Sequence, residues 1–474
     1  MDSKEYLHSL NKISLEKIVK QEYREYQIYT LMDRAIPYLQ DGLKPSQRRI
    51  LFTLFKNQTK GLMKVSSLTG LVLTLHPHGP QSIEAAIVNM AQDFTFSNNY
   101  PLIDKKGYFG ERMEPAPAAA RYIECKLGKL AEILLFDDMN QVEMVPNYDE
   151  KVMEPVSLLP KLPLMLLNGP EGIGTGFSTV IPSYNHSDII HSMIFYLEKG
   201  KARKIHPWVR YYSEKVEVEK QGRLIFKMRL EENADGDVYI KELPKGYDAQ
   251  KIYKHLNKLM DEDFIKDYID GSVDNLIDIQ LVFKRGQRPS IEEIQKKVSV
   301  NTTLVPNFTL ISERGVKIFE AAEEIISVFT EQRLKVVQKR YELLVKDSTE
   351  QILKNNEIIR FIKEKHYAQA EKSANRKSYV DYLITKKFQF GEYLADMPIY
   401  RMTIEEVQKR LLLIDDEEKK LKGYKIVLQS KDKIKDKLID ELNDVNLRMT
   451  KLMDDREKEK REVYKKISSS KKRS

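Results

Sequence analysis

The stretch AAARYIECKL, residues 118–127, combines three features around which the rest of the chain can be interpreted. Its three alanines leave room for another surface to approach closely. Arg121 supplies a planar fork of donors that matches a phosphate group, and Tyr122 supplies a phenol that can attack phosphorus. With 25 tyrosines in the chain, one Arg-Tyr pair is also compatible with packing beside a surface charge. The neighbouring sequence therefore decides between a catalytic and a structural pair.

Upstream, the sequence DGLKPSQRRILFTLF at residues 41–55 predicts a turn followed by a basic helix start. Asp-Gly favours a turn, and Pro45 suits the first turn of a helix. Backbone amides at a helix N-terminus together with nearby cations can bind phosphate. The cations in question are Lys44, Arg48 and Arg49, preceded by Arg34 at the end of an amphipathic helical arm. A solvated basic helix start is the alternative interpretation.

Between these two stretches, residues 64–93 predict two helices that flank the turn His76-Pro77-His78-Gly79. Helix, tight turn, helix is typical of a helix-turn-helix module, in which the second helix lies against a DNA groove. The two histidines could instead bind a metal, but no third ligand follows at suitable spacing, and phosphate fits better. The loop DKKGYFGER then predicts the wing of a winged-helix fold. We expect the single cysteine, Cys125, to be a buried packing thiol.

Downstream, the glycine-rich segment LLPKLPLMLLNGPEGIGTGFSTVIPSYN at residues 158–185 lacks the Lys-Ser/Thr of a P-loop and the order of a dinucleotide motif. Its glycines instead suggest a backbone that passes close to another surface, with Ile173 projecting as an apolar wedge. Residues 215–285 alternate apolar and polar positions around one helical stretch, which predicts an α+β region with antiparallel strands.

From about Val316 the apolar spacing becomes that of long helices, with near-heptad repeats before and after a short insert at residues 390–403. We expect an antiparallel coiled-coil arm with a globular tip. The tip's apolar residues predict either a self-association surface or an ordinary small core; they are Tyr393, Leu394, Met397 and Ile399. The final basic stretch, KKISSSKKRS, predicts a frayed end that touches DNA nonspecifically.

Composition excludes several classes of protein. The chain has 474 residues, a formal net charge of +8 and 32% charged residues. One cysteine excludes a disulfide framework, and the sequence contains neither a signal-peptide core nor an apolar run long enough for a membrane helix. The sequence therefore predicts a soluble, cytoplasmic, multidomain protein whose polyanion sites come from local clusters of charge.

Five stretches, in order and over nearly the whole chain, resemble the breakage-reunion subunit of type IIA DNA topoisomerases, which is the A subunit of gyrase and of topoisomerase IV. These stretches are DGLKPSQRR at 41–49, HPHG at 76–79, AAARY at 118–122, NGPEGIGTG at 168–176 and EYLADMP at 392–398. The resemblance is to a short form without the C-terminal DNA-wrapping domain.

The resemblance implies an α+β multidomain fold with a winged-helix DNA-gate domain, an α/β tower domain and a long antiparallel coiled coil with a dimerisation tip. The expected boundaries are an arm at 1–30, the winged-helix domain at 31–157, the tower at 158–315, the coiled coil at 316–440 with its tip at about 363–403, and a basic helical tail at 441–474.

The resemblance also implies roles for individual residues. Tyr122 would attack a DNA phosphodiester and hold the 5′ phosphate as an ester, and Arg121 would stabilise the transition state. Ile173 would insert between base pairs to bend the DNA. The remaining DNA contacts would be Arg34, Lys44, Arg48, Arg49, His76, His78 and Gln81.

The sequence shows no acidic cluster of the Toprim type and no ATPase signature, so the resemblance implies that Mg²⁺ and ATP are bound by a partner subunit. The expected partners are double-stranded DNA, an ATPase/Toprim subunit similar to gyrase B, and a second copy of the chain. The expected activity is relaxation and decatenation of DNA, in a bacterial or phage-infected cell. The alternative is a non-catalytic DNA-bending protein with the same winged helix and coiled-coil dimer.

Overall fold

The computed structural model describes residues 23–220, 222–286 and 288–471, so most of the expected arm at 1–30 lies outside the described residues. The chain forms two compact units. One contains the described residues up to Arg333 together with those from Leu442 onward, and the other is Leu334–Glu441.

The first unit contains all the named strands together with helices at both of its ends, and the second unit is almost entirely helical. In chain order the α-helices are α1 Arg24–Thr30, α2 Pro45–Lys56, α3 Val65–Val72, α4 Pro80–Ala91, α5 Lys129–Leu135, α6 Leu164–Asn168, α7 His186–Lys199, α8 Ala249–Asp261, α9 Ile291–Val298, α10 Ala322–Lys363, α11 Arg376–Thr385, α12 Gly391–Ala395, α13 Ile404–Leu428 and α14 Lys431–Lys471. A π-helix, Leu31–Ala35, follows α1.

All the strand pairs between named strands are antiparallel in the described ranges. The strands are β1 Met63–Lys64, β2 Ile103–Lys106, β3 Glu124–Leu127, β4 Met144–Pro146, β5 Met153–Pro155, β6 Glu171–Ile173, β7 Ser178–Val180, β8 Glu217–Val218, β9 Leu224–Lys227, β10 Arg229–Glu232, β11 Val238–Glu242, β12 Asp267–Asp270, β13 Ile279–Val282, β14 Asn301–Leu304, β15 Phe308–Ser312 and β16 Gly315–Phe319.

Helices α2, α3 and α4 pack on one another beside a three-stranded sheet in the order β1-β3-β2. Prolines open α2 and α4, where the fixed φ of proline suits the first helical turn. In the central strand β3, Cys125 and Leu127 are buried while Lys126 is exposed. Cys125 has no exposed surface, which confirms the expected packing role, and its burial raises the pKa of the thiol to about 12.

The alternating region of the sequence forms the predicted antiparallel strands. Strands β10 to β13 make a sheet in the order β10-β11-β13-β12, and α8 lies between β11 and β12 in the chain. Val238 and Ile240 of β11 pair with Leu281 and Ile279 of β13, and all four side chains are buried in one core cluster. The period-two pattern thus places one face of this sheet in the core.

The long helix begins later than the apolar spacing predicts. Residues from Gly315 to Phe319 form β16, which pairs with β15 as a hairpin, and α10 starts only at Ala322. The apolar residues Val316 and Ile318 therefore follow the period of a strand rather than that of a helix.

In the second unit, α10 and α13 run antiparallel. Ser348 donates to Glu417, Tyr341 packs on Tyr424, and Arg410 donates to Asn355, so the residue number rises along one helix as it falls along the other. At the end of this pair, α11 and α12 close a small core. The core contains Leu394 and Met397, whereas Ile399 is 83% exposed.

The last helix, α14, extends to Lys471, and from Leu442 onward it belongs to the first unit. Leu442, Val445 and Met449 are buried. Arg456 pairs with Asp104 at 2.6 Å, and Lys460 lies 3.4 Å from Asp93. These contacts hold α14 within the first unit as far as Lys460. The last three residues of the stretch expected to fray, KKISSSKKRS, lie outside the described residues, and its fraying stays a prediction. Among the described residues, no helix has the combination of length and apolar character that crossing a bilayer requires.

Buried His186 connects α7 to α14. The Tyr100 hydroxyl accepts from the His186 backbone N–H and lies 3.0 Å from Nδ1, while Nε2 lies 3.1 Å from the Thr450 hydroxyl. Burial, with a smaller contribution from Arg210, lowers the pKa of His186 to about 4. The imidazole is therefore neutral in the folded protein.

Stability should fall as the pH is lowered from about 7 to about 4.5. The unfolded chain binds a proton at His186 near its ordinary pKa of about 6.5, whereas the folded chain binds it only near pH 4, so acid favours unfolding in this window. Between pH 7 and pH 4.5 this difference in proton binding corresponds to roughly 2–3 kcal/mol. His186→Gln should remove that part of the pH dependence, measured by urea unfolding at both pH values. Exposed His191 on the same helix supplies the control, since His191→Gln should retain the wild-type slope; equal slopes in the two variants would contradict this role.

Candidate active site

Arg121 and Tyr122 lie on a tight turn immediately before β3. The Tyr122 N–H donates to the Ala119 carbonyl at 2.8 Å, and the Ser66 N–H donates to the Ala120 carbonyl at 3.3 Å. Tyr122 is 66% exposed, and the Arg121 guanidinium lies 5.0 Å from the centroid of its ring. The pair is therefore held on a fixed backbone with its phenol accessible to a large substrate.

Helix α3 connects this turn to the histidine motif. Its first residue, Val65, donates to the Ile123 carbonyl, and after its last turn the His76 N–H donates to the Val72 carbonyl. The eight residues of α3, at about 1.5 Å each, separate the two ends by roughly 12 Å. Within one chain, the predicted residues thus form two groups at opposite ends of one helix.

The second group is a network of two arginines and two histidines. Arg49 Nη1 lies 2.8 Å from His76 Nδ1, and Arg34 Nη2 lies 3.2 Å from His78 Nδ1. The two imidazole rings meet edge to face with centroids 4.2 Å apart. Arg34 lies on the π-helix, a local widening that is frequent at functional sites.

The donors in this network fix the histidine tautomers. A guanidinium has five N–H donors and no acceptor, so each Nδ1 that faces one must accept the hydrogen bond. A neutral imidazole that accepts at Nδ1 carries its proton on Nε2. In its neutral form each histidine is therefore the tautomer that donates from Nε2, which is the form suited to binding a phosphate oxygen.

Glu154 completes the network, and the sequence motifs do not predict it. Its carboxylate accepts from Arg49 Nε at 2.6 Å and from Nη2 at 2.8 Å, and Glu154 is 9% exposed. The available signal is that Glu154 is the single charged residue in the mainly apolar run VMEPVSLL at 152–159, because a buried carboxylate requires a partner.

The β6–β7 hairpin carries Ile173, which is 90% exposed. The hairpin packs against the π-helix through its glycines: a Cβ on Gly172 would lie 2.0 Å from the Ala35 carbonyl, and one on Gly174 would lie 2.5 Å from Leu31. The sequence predicted that these glycines approach another surface closely, and that surface is the π-helix of the same chain. Close packing at the base fixes the direction in which Ile173 projects.

Lys44 lies beside the same hairpin. Its ammonium donates to the Glu171 carbonyl at 3.0 Å. Burial lowers the pKa of Lys44, and the Glu171 carboxylate partly offsets this effect. Lys44 thus joins the start of α2 to the hairpin that bears Ile173, while Gln81 lies exposed in the first turn of α4.

Arg48 has a different role from its neighbour Arg49. It is 5% exposed, and it donates to Asp41 from Nε at 2.6 Å and from Nη2 at 3.1 Å. Burial alone would lower the pKa of Arg48, but the pair with Asp41 raises it. The guanidinium of Arg48 is thus committed to a buried carboxylate, which argues against the predicted DNA contact of this residue.

Comparison with known proteins identifies the family. A family model for the A subunit of DNA gyrase/topoisomerase IV matches residues 34–443. The chain belongs to this family. Its sequence is 33% identical over 370 residues to the mitochondrial DNA topoisomerase 2 of Dictyostelium discoideum, covering 75% of the chain and 28% of that protein. It is 28% identical to the DNA gyrase A subunit of Chlamydia trachomatis, covering 91% of the chain and 56% of that protein.

A solved structure shares the fold of this family member. The DNA-binding, cleavage and re-ligation domain of Plasmodium falciparum topoisomerase II superposes with a TM-score of 0.77 at 26% identity, covering 93% of the chain and 66% of that structure. The chain spans between about a quarter and just over half of the length of the two curated relatives described above.

Type II topoisomerases use Mg²⁺ and ATP in general, and the carboxylates near the candidate site decide whether the described part of this chain could hold the metal. The described ranges contain no group of three or more His, Cys, Asp and Glu side chains arranged for a metal ion. Near the candidate site, Glu154 is committed to Arg49, and Glu124 is committed to Lys64 at 3.0 Å. These residues do not fit a Mg²⁺ ion.

Replacing Arg48 by methionine should destabilise the first unit by about 3–5 kcal/mol, because the Asp41 carboxylate would remain buried without its counter-charge. Urea or thermal unfolding of the full chain measures the loss. Lys56→Met on the same helix is the control, since Lys56 is exposed and its loss should cost less than about 0.5 kcal/mol. Equal unfolding midpoints for the two variants would contradict the structural role of Arg48.

Proposed function

We propose that this chain is the DNA cleavage and religation subunit of an ATP-dependent type IIA topoisomerase, which makes a transient double-strand break, passes a second duplex through it and so relaxes and decatenates DNA. The observation that carries the proposal is the exposed Tyr122 phenol beside the Arg121 guanidinium, on a turn fixed by hydrogen bonds to α3. Membership of the gyrase A/topoisomerase IV family supports it.

The proposed reaction is a reversible transfer of a phosphodiester bond. The Tyr122 oxygen forms a bond to phosphorus, the phenol proton passes to solvent, and the bond from phosphorus to the 3′ oxygen breaks as that oxygen takes up a proton. The product is a 5′-phosphotyrosyl ester with a free 3′ hydroxyl. Arg121 stabilises the negative charge that develops on the phosphate oxygens. Because the ester retains the bond energy, religation is the reverse step.

The arginine–histidine network binds the DNA backbone at the C-terminal end of α3. Guanidinium groups and Nε2–H imidazoles are donors that phosphate oxygens accept. Arg34 and His78 are the more exposed members, whereas His76 and Arg49 lie deeper. Lys44 and Gln81 extend the same contact surface. Contacts of this kind position DNA without reading its sequence.

Ile173 is proposed to act as the wedge that bends the cleaved duplex. An apolar side chain inserted between base pairs unstacks them and kinks the DNA. The glycine contacts at the base of the hairpin keep the wedge from folding back, so that the free energy of burying Ile173 is available to offset unstacking.

The architecture proposed for this function follows the family. Helices α2 to α4 with the sheet β1-β3-β2 form the winged-helix DNA-gate domain within 31–157, the mixed region within 158–315 is the tower, and α10 with α13 forms the coiled coil. We propose that the tip joins two copies of the chain. Exposed Ile399 and Tyr400 would supply the contact, since Leu394 and Met397 are occupied in the core of the tip.

Mg²⁺ and ATP are proposed to be bound by a second polypeptide, an ATPase/Toprim subunit similar to gyrase B. The absence of a fitting acidic group near Tyr122 in the described ranges motivates this assignment. The alternative function, a DNA-bending protein without chemistry, keeps the wedge and the dimer but has no use for an exposed phenol beside Arg121.

Tyr122→Phe should abolish covalent attachment of the protein to DNA. The full chain is mixed with the ATPase/Toprim subunit, Mg²⁺ and supercoiled plasmid, and the reaction is stopped with detergent to trap protein on 5′ ends. Wild type and Tyr148→Phe, which alters another exposed tyrosine at 58% exposure, should both form the adduct. Absence of an adduct in wild type, with DNA bending retained, would favour the architectural alternative.

Ile173→Ala should lower the population of bent DNA roughly tenfold, because most of the apolar area of the wedge is lost. Energy transfer between dyes at the two ends of a short duplex measures the bend on the full chain. Ile318→Ala is the matched control, since Ile318 is 64% exposed on a hairpin that is not proposed to enter DNA. A bend unchanged by Ile173→Ala would remove the wedge from the mechanism.

A further inference from the structure

The fork formed by Glu154 and Arg49 determines the direction of the third guanidinium nitrogen. The two carboxylate oxygens of Glu154 accept hydrogen bonds from Arg49 Nε at 2.6 Å and from Arg49 Nη2 at 2.8 Å. Such a bidentate pair fixes the plane of the guanidinium as well as its position. Water has little access to either side chain: the exposed fraction of the side-chain surface is 17% for Arg49 and 11% for Glu154. The remaining nitrogen, Nη1, is thereby directed at His76.

The contact between Nη1 and His76 Nδ1 is short, at 2.8 Å, and the imidazole has little freedom to avoid it, since His76 is 4% exposed. A guanidinium held in this plane can only donate. If its plane were free to rotate, Nδ1 would no longer face a fixed donor, and both neutral tautomers of His76 would become accessible.

We propose that Glu154 is a positioning residue for the cleavage reaction, which orients Arg49 so that His76 stays in the tautomer that donates from Nε2 to the DNA backbone. This role rests on the proposed function. Glu154 itself does not touch DNA in this proposal: it acts through Arg49, in the way that a carboxylate orients the base of a catalytic pair.

His78 provides an internal comparison. Its Nδ1 also faces a guanidinium, but that of exposed Arg34, at the longer distance of 3.2 Å. Arg34 lies on the π-helix and Glu154 on β5. Removing the Glu154 charge should therefore change the tautomer of His76 and leave that of His78 unaltered, which a general loss of stability would not do.

The test uses Glu154→Gln, which keeps the shape of the side chain but loses the charge and one of the two acceptors. Glu154→Asp keeps the charge on a shorter side chain and serves as the conservative variant. Glu143→Gln is the matched control, because Glu143 is exposed just before β4 in the same β4–β5 hairpin. All variants are made in the full chain.

The first readout is the tautomer, measured from the imidazole ¹⁵N resonances of histidine-labelled protein. The chain has 8 histidines, and the resonances of His76 and His78 are assigned by substituting each in turn. In wild type and Glu143→Gln, Nδ1 of His76 should be unprotonated. Glu154→Gln should give a mixture of tautomers at His76 with His78 unchanged, and Glu154→Asp should lie between the two.

The second readout is the rate of covalent adduct formation in the presence of Mg²⁺ and the ATPase/Toprim subunit. Glu154→Gln should slow it at least tenfold with plasmid affinity changed less than about threefold, whereas Glu143→Gln should match wild type. An unchanged His76 tautomer in both Glu154 variants overturns the proposal, whatever their rates. If wild type forms no adduct, the proposed function fails, and the tautomer measurement still decides whether Glu154 orients His76.

Discussion

The buried carboxylate of Asp41 joins the start of α2, which carries Arg49, to the segment that leads to the β6–β7 hairpin with Ile173. One oxygen accepts from the Leu43 N–H and the other from the Leu158 N–H, and both accept from Arg48. These bonds join the turn before α2 to the segment that leads to the glycine hairpin. A carboxylate with no solvent exposure is stable only when its acceptors are filled in this way. The positions of Arg49 and of the Ile173 hairpin both follow from this junction.

Two neighbouring arginines show what the sequence could and could not predict. The helix start at Pro45 and its cluster of cations are visible in DGLKPSQRR, because proline and charge spacing act locally. Successive helical residues point about 100° apart, so Arg48 and Arg49 must face different environments, but local pattern does not say which. Their partners, Asp41 and Glu154, lie 7 and 105 positions away in the chain. The side that faces the core is decided by tertiary contacts of this kind.

A similar limit applies elsewhere in the chain. The alternation at 215–285 predicted antiparallel strands correctly, because period two persists over many residues. At 315–319 only five residues carry the strand pattern, and the strong helical period that follows obscured it. In the tip, composition indicated an apolar cluster but not its division into the buried Leu394 and the exposed Ile399. Whether an apolar residue is buried in a core or exposed on the surface depends on packing between segments distant in sequence.

Burial of the only thiol in the chain has a practical consequence. Cys125 has no solvent exposure, and its raised pKa keeps the sulfur protonated at neutral pH, so it should react slowly with maleimides and similar reagents. A cysteine introduced at an exposed position of the hairpin or the tip would then carry a fluorophore or spin label selectively. Labels could thus be placed on the β6–β7 hairpin or the tip for spectroscopy while Cys125 stays in the core unchanged.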